Sequence, residues 1–218
     1  MYNVILCNGM FPQHAIPLEI LNRAGMTVCC DGAAVKLLQY GKEPSAIVGD
    51  MDSLPAELKT AYSDRIFYDG DQETNDQTKA VSWCRERKIN PVIILGATGL
   101  REDHTIGNIS LLAEYVDFMD IVTVTDTGIF VPVNRSKTFK CRAKQQISIF
   151  SVSPFTKITS AGLKYEISER CFTNWYQGTL NETLYDSFHL DVNTGKLIVY
   201  FEHFEDTDFI TNFVGKII

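Results

Sequence analysis

Up to about residue 133, short apolar runs rich in β-branched side chains alternate with stretches in which apolar positions recur every three or four residues. The runs Val4–Cys7, Thr27–Cys30, Ala46–Val48, Arg65–Tyr68, Val92–Leu95 and Ile121–Val124 read as strands. Between and after them, Pro17–Ala24, Ala33–Tyr40, Pro55–Tyr62, Asp76–Lys88 and Thr105–Val116 read as helices. In the last of these, Ile106, Ile109, Leu112 and Val116 share one stripe, because three- and four-residue steps return to the same helical face. Such alternation predicts a parallel sheet flanked by helices.

From about Lys137 the helical period disappears. The β-prone segments Gln146–Phe150, Lys157–Thr159, Phe188–Val192 and Leu197–Phe201 are separated by Gly, Asn and Pro at short spacing. This predicts a small all-β domain, joined to the first at the short polar stretch Pro132–Lys137. The expected division is an α/β domain over residues 1–134 and an all-β domain over 135–218.

The length of 218 residues and a 45% apolar, 22% charged composition suit a packed globular chain and exclude a disordered or collagen-like one. With 27 acidic against 20 basic side chains the net charge is -7, the wrong sign for a chain held on nucleic acid or anionic lipid by its overall field. Neither nucleic acid nor membrane is therefore an expected partner. No apolar stretch approaches the roughly 18 residues needed to span a bilayer, and the N-terminus lacks signal-peptide character, so the expected location is cytoplasmic. The six cysteines offer no C-x-x-C pair, and Cys7, Cys29 and Cys30 sit in apolar runs, which reads as reduced, buried thiols. Four scattered histidines without H-E-x-x-H leave metal chemistry to carboxylates.

Acidic residues gather directly after strands, at the end where open parallel sheets bind ligands. Asp31 follows one strand; Asp50 and Asp52 follow another, two apart, so an extended backbone aims both to one side. Either a cation such as magnesium relieves their repulsion, or the segment is a turn that caps the helix near Pro55. Asp76 and Lys79 share a helical face and either hold a metal and neutralise a phosphate, or form a solvated pair behind an Asn75 cap. The segment from Gly96 to Thr105 joins a strand to a helix and can aim backbone N–H groups and Arg101 at a phosphate. There is no P-loop and no G-x-G-x-x-G fingerprint, and His104 alone reads as a structural residue. Three acid-bearing loops on one sheet edge call for a cation bridging a polyphosphate.

The succession Asp31-Gly32-Ala33, Gly49-Asp50-Met51-Asp52-Ser53-Leu54, Thr74-Asn75-Asp76-Gln77-Thr78-Lys79 and Gly96-Ala97-Thr98-Gly99-Leu100-Arg101-Glu102-Asp103-His104 with Asn108 resembles the thiamine pyrophosphokinase family. Gly162-Leu163-Lys164-Tyr165 and Gly178-Thr179-Leu180-Asn181-Glu182 are similar to that family's thiamine-side segments. The resemblance implies an N-terminal α/β nucleotide domain, a C-terminal β-sandwich, and a homodimer with active sites between subunits. It also implies transfer of the terminal diphosphate of ATP to the thiamine hydroxyl, with magnesium, releasing AMP. By position, Asp50, Asp52 and Asp76 would hold magnesium; Asp31, Gln72, Asn75, Lys79, Arg101, Asp103, His104 and Asn108 would surround the nucleotide and the transferred group. Leu180 and Asn181 would belong to the thiamine pocket.

The chain departs from the family at Asn75, where Thr is usual, at Leu180, where Ser usually precedes the Asn, and at Leu100, where Gly is frequent. The change at Leu180 keeps open a related pyrophosphokinase acting on another hydroxymethyl compound such as a pterin. A non-catalytic nucleotide- or thiamine-binding module is the other alternative, and the complete set Asp50, Asp52, Asp76 and Asp103 speaks against it. Asp103 and Asp76 are the candidates for a general base, and Tyr165, Trp175 and Tyr176 could supply an aromatic face for the acceptor.

Overall fold

The computed structural model describes residues 2–203. The described residues divide into two compact units, one running to Leu111 and including Phe118–Asp126, the other comprising Leu112–Asp117 and the described residues from Thr127.

The first unit contains, in chain order, β1 (Tyr2–Leu6), α1 (Ala15–Asn22), β2 (Ala24–Cys30), α2 (Ala33–Gln39), β3 (Ala46–Gly49), α3 (Ala56–Ala61), β4 (Ile66–Tyr68), α4 (Asp76–Glu86), β5 (Val92–Leu95), the start of α5 (Glu102–Tyr115) and β6 (Ile121–Val124). The strands pair in parallel in the order β6-β5-β1-β2-β3-β4. Because β3, β5 and β6 are buried along their whole length, they read as continuous apolar runs rather than alternating ones. Strand order reverses at β1, which lies between β2 and β5, and a crevice opens there beyond the carboxyl ends of the strands.

Two helices start earlier than the sequence reading places them. α1 starts at Ala15, where the Ile16 N–H donates to Nδ1 of the His14 cap at 3.3 Å, and Pro17 is accommodated in a first turn whose N–H groups need no helical partner. α5 starts at Glu102 rather than Thr105, with Glu102 and Asp103 in a first turn that favours negative charge. Its apolar stripe is covered only toward the C-terminal half: Leu112 is buried, whereas Ile106 is 54% exposed.

The second unit is antiparallel. It contains β7 (Gly128–Val133), β8 (Lys137–Lys140), β9 (Gln146–Ser151), β10 (Lys157–Ala161), β11 (Arg170–Cys171), β12 (Asn181–Glu182), β13 (Ser187–Val192) and β14 (Leu197–Glu202). One sheet runs β12-β9-β14-β7 and the other β11-β10-β13-β8. They share a core, since Phe139 and Phe188 of the second sheet stack at 5.1 Å and each lies within 5.9 Å of Phe201 in the first. This is the expected sandwich. The boundary expected at 134/135 falls after β7, which pairs along its length with β14, from Gly128↔Glu202 to Val133↔Leu197, so the strands of this unit start at Gly128. An apolar strand whose partner is distant in sequence reads the same on either side of a domain boundary, and Pro132 made this one look like the end of an element. Among the described residues no helix is long and apolar enough to cross a membrane.

Candidate active site

The crevice of the first unit holds a cleft of about 480 Å³, lined by the residues that follow β1, β3 and β5 and by the first turns of α4 and α5. Its floor requires close backbone approach. The Gly9 N–H donates to the Gly96 carbonyl at 2.8 Å and the Met10 N–H to that of Thr98 at 2.8 Å. A Cβ on Gly9 would lie 2.4 Å from the Gly96 oxygen, so only glycine fits. Lys36 of α2 fastens the same loop, donating from Nζ to the carbonyls of Asn8 at 3.0 Å and Gly9 at 2.6 Å. Burial lowers the pKa of this ammonium.

The structure brings Asp31, Asp50 and Asp52 together at the carboxyl ends of β2 and β3. Asp31 is 1% exposed and sits at φ +40, outside the usual range for a non-glycine residue. One oxygen from each of Asp31, Asp50 and Asp52 lies within 4.8 Å of the others. Asp31 Oδ2 accepts the Ser53 N–H at 2.9 Å, and its buried Oδ1 has no hydrogen-bond partner. Asp52 accepts the Ser53 hydroxyl at 2.8 Å. Gly49 makes room for the group: at φ +152, a Cβ would lie 3.1 Å from Asp31 Cβ and 3.2 Å from Asp76 Oδ1. Burial pushes the Asp31 carboxyl up to about 6; the Ser53 N–H opposes this, while contact with Asp52 and the charges of Asp76 and Asp52 reinforce it. Burial also raises Asp76, against the pull of Lys79, whose ammonium lies 3.5 Å from Asp76 Oδ1. Asp52 is lowered, first by the Ser53 hydroxyl and then by its contact with Asp31. A partnerless buried oxygen amid crowded carboxylates fits a hard, oxygen-preferring dication.

Asn75 caps α4, its Oδ1 accepting the Thr78 N–H at 2.9 Å, so the capping reading of this position holds. Its amide donates to Asn108 Oδ1 at 2.9 Å; Asn108 in turn donates to the Ala97 carbonyl at 2.8 Å, and Gln77 donates to the Asn108 carbonyl at 3.0 Å. These bonds lock α4, α5 and the loop after β5 together around the cleft. Lys79, 3% exposed at its side chain, is the ammonium beneath it. Gln72, His104 and Arg101 also line the cleft, all on its exposed rim. Arg101 grips Asp103, Nη2 to Oδ2 at 2.5 Å and Nε to Oδ1 at 3.1 Å, and the His104 N–H donates to Asp103 at 2.8 Å. Asp103 itself stands outside the lining, and Arg101 holds its carboxyl down at about 2. Sequence reasoning missed Gln77, Lys36 and Asn8, since a side chain bonded to a distant carbonyl, or the carbonyl that receives it, leaves no local pattern.

The second unit carries its own concavity of about 490 Å³. Tyr165, Tyr176 and Leu180 line it, together with Arg170 and Glu166. Glu166 is committed to its loop, accepting Ser160 Oγ at 2.7 Å and the Gly162 N–H at 2.7 Å. Asn181 is buried and committed too: its amide donates to the Tyr165 carbonyl at 2.8 Å, and its oxygen accepts the N–H groups of Tyr165 at 3.1 Å and Glu182 at 2.8 Å. Trp175 does not line this concavity; its indole N–H donates to the Ser151 carbonyl at 3.2 Å and its ring meets Phe150 edge-on.

Residues 18–124 match the model of the thiamin pyrophosphokinase catalytic domain, and residues 128–200 that of the thiamin pyrophosphokinase substrate-binding domain. The chain belongs to the thiamine pyrophosphokinase family. Thiamin pyrophosphokinase 1 of Caenorhabditis elegans is 30% identical over 164 residues, covering 68% of this chain and 67% of that protein. Thiamine pyrophosphokinase 1 of Oryza sativa subsp. japonica is 28% identical over 200 residues, covering 76% and 74%. Among solved structures, thiamin pyrophosphokinase from Geobacillus thermodenitrificans superposes with a TM-score of 0.77 at 25% identity, covering 95% of this chain and all of that one.

The first family segment contains the carboxylate cleft and the second contains the Tyr165 concavity. Against the thiamine pyrophosphokinase pattern, Asn75 keeps a side-chain oxygen and spends it on the helix cap. Leu180, in the place of the usual Ser, adopts φ +58 and is 69% exposed at the lip of the second concavity.

Proposed function

We propose that the protein transfers the diphosphate of ATP to the hydroxyl of thiamine, yielding thiamine diphosphate and AMP. The observation that carries this reading is the convergence of Asp31, Asp50 and Asp52 below a cleft whose other wall supplies Lys79 and Arg101. The polyphosphate binds there, where the Lys79 ammonium and the Arg101 guanidinium line the cleft. Asp50, Asp52 and Asp76 hold magnesium, with Asp31 adding its free oxygen. Magnesium, when bound, neutralises charge on the polyphosphate oxygens.

The chain's own residues do the rest. Lys79 neutralises charge at the group being transferred, and its burial strengthens that interaction by excluding water. Arg101 turns one edge of its guanidinium, Nε and Nη2, to Asp103, so it meets the nucleotide in a fixed orientation. Attack of the alcohol at the β-phosphorus needs alignment more than a strong base, because little proton transfer precedes the transition state of phosphoryl transfer. Asp103, held at about 2 by Arg101, is a poor proton acceptor, and Asp76 as a magnesium ligand is another, so the alcohol's proton leaves late.

Thiamine takes the Tyr165 and Tyr176 faces of the second unit, which suit a flat pyrimidine and a cationic thiazolium. The working form is a homodimer with active sites between subunits, in the cytoplasm, where the unpaired cysteines suit a reducing environment. The deciding experiment is incubation with ATP, magnesium and thiamine, followed by mass identification of the products. AMP with thiamine diphosphate is the expected result; ADP with thiamine monophosphate would overturn the mechanism.

A further inference from the structure

The floor of the carboxylate cleft holds a feature that phosphoryl transfer does not use. Cys7 directly follows β1 and Cys30 ends β2, so parallel pairing brings their side chains together at the carboxyl ends of adjacent strands. Their Sγ atoms are 3.8 Å apart, both thiols are unoxidised, and both residues line the cleft. Two oxygens complete the surroundings: Cys30 Sγ lies 3.4 Å from the Asp76 carbonyl oxygen, and Cys7 Sγ lies 3.6 Å from Gln77 Oε1.

This spacing is that of a chelating pair. Two thiolates on one tetrahedral zinc, each at about 2.3 Å, stand about 3.8 Å apart, the edge of the tetrahedron. We propose that Cys7 and Cys30 form a site for a soft, thiophilic dication of the zinc and cadmium class, distinct from the carboxylate site above it. Ligand preference separates the two, because thiolates select soft metals whereas Asp50 and Asp52 offer only hard oxygens. On binding, two S–H bonds break, two metal–sulfur bonds form, and both protons leave to solvent. The Asp76 carbonyl and the Gln77 amide oxygen stand ready as further donors.

The site acts on the activity through α4. Both thiols touch the first turn of that helix, and the same turn carries Asp76 and Lys79. Drawing the Asp76 carbonyl and Gln77 toward a metal beneath them reorients that turn, so occupancy lowers turnover even when magnesium is in excess. The proposal goes beyond the reading of the protein as a diphosphotransferase, and its binding test does not depend on that reading.

The test titrates the full chain, reduced and in excess magnesium, with cadmium, whose thiolate charge-transfer absorption reports sulfur ligation alone. One saturating equivalent per chain is expected for the wild type, with the band lost in both Cys7→Ser and Cys30→Ser and kept in Cys171→Ser. Cys7→Ala and Cys30→Ala, checked by thermal melting for a native fold, guard against loss through misfolding. Zinc inhibition of product formation, read against each variant's own zinc-free rate, should weaken by at least about tenfold in the Cys7 and Cys30 variants. Absence of a stoichiometric band in the wild type, or a band that survives loss of either thiol, would overturn the proposal.

Discussion

Ser53 donates its N–H to Asp31 Oδ2 at 2.9 Å, and the other oxygen of that carboxylate, buried beside it, meets no partner. The bond ties the loop after β3 to the end of β2 and presents the free oxygen to the Asp50 and Asp52 carboxylates. A half-satisfied buried carboxylate costs free energy in the absence of a cation, which is why burial raises its pKa to about 6 from the ordinary 3.8.

The pH dependence follows from the sign of that shift. A carboxyl that binds its proton more tightly when folded contributes stability below its unfolded pKa, and that contribution is lost as pH rises from 3.8 through about 6. Asp76, also raised, acts in the same direction, and Asp52, lowered, acts against them. Metal-free protein should therefore lose melting temperature across this window while magnesium restores it above about pH 6. Calorimetry in buffers of different ionisation heat should detect proton release on magnesium binding near pH 6. In Asp31→Asn both the release and the window should shrink; unchanged proton release would contradict the assignment.

Asp50→Asn and Asp52→Asn should each lower turnover by at least about two orders of magnitude, the usual cost of losing charge stabilisation at a phosphoryl centre. Their melting temperatures without metal should hold or rise, since one member of a repelling group has gone. Near wild-type turnover with unchanged magnesium dependence would return the Gly49–Ser53 segment to the role of a helix-capping turn.

Much of this cleft was legible in the sequence because its carboxylates sit at fixed places in a repeating pattern. Asp31, Asp50 and Asp52 each directly follow or closely trail an apolar run, and in a parallel sheet all such positions come to one edge. What pattern could not carry was pairing at a distance. Lys36 looked like any lysine on an amphipathic helix, and only the fold brings its ammonium to the carbonyls of Asn8 and Gly9. The sequence assigns Asn181 to the acceptor side by resemblance, but its engagement with the Tyr165 backbone depends on how β12 and the loop after β10 meet. β7 went unread because its partner β14 lies far along the chain.

Gly49→Ala tests the crowding at the carboxylates. The new methyl would press within 3.1 Å of Asp31 Cβ and 3.2 Å of Asp76 Oδ1, at a backbone angle of +152 that favours glycine. Strain and overpacking together should cost about 1–3 kcal/mol in denaturant unfolding. Because Asp76 is the side chain most able to yield, magnesium affinity should fall with stability. A variant as stable and as tightly magnesium-bound as the wild type would show that the carboxylates are not held by this contact.

The acceptor side separates two roles that adjacent residues could share. Asn181 spends its amide and its oxygen on the Tyr165 and Glu182 backbone, so under the proposed function it should position Tyr165 and leave recognition to the rings. Asn181→Ala removes the partner of these part-buried backbone groups, a loss of about 1 kcal/mol in stability, and lets the Tyr165 loop drift. The expected kinetic signature is a raised KM for thiamine with an unchanged KM for ATP. Leu180 differs, being 69% exposed and at φ +58, where any side chain with a Cβ is strained. Leu180→Gly should therefore stabilise the fold by up to about 1 kcal/mol, while Leu180→Ser keeps the strain and exchanges apolar contact for a hydroxyl. An uncharged hydrogen bond contributes about 0.5–1.5 kcal/mol, so Leu180→Ser should change thiamine affinity by no more than roughly tenfold and leave the nucleotide cleft alone. Isothermal titration with thiamine distinguishes the two residues. If Leu180→Ser moved affinity by far more than tenfold while Asn181→Ala left it unchanged, recognition would rest on position 180 and the assigned roles would be reversed.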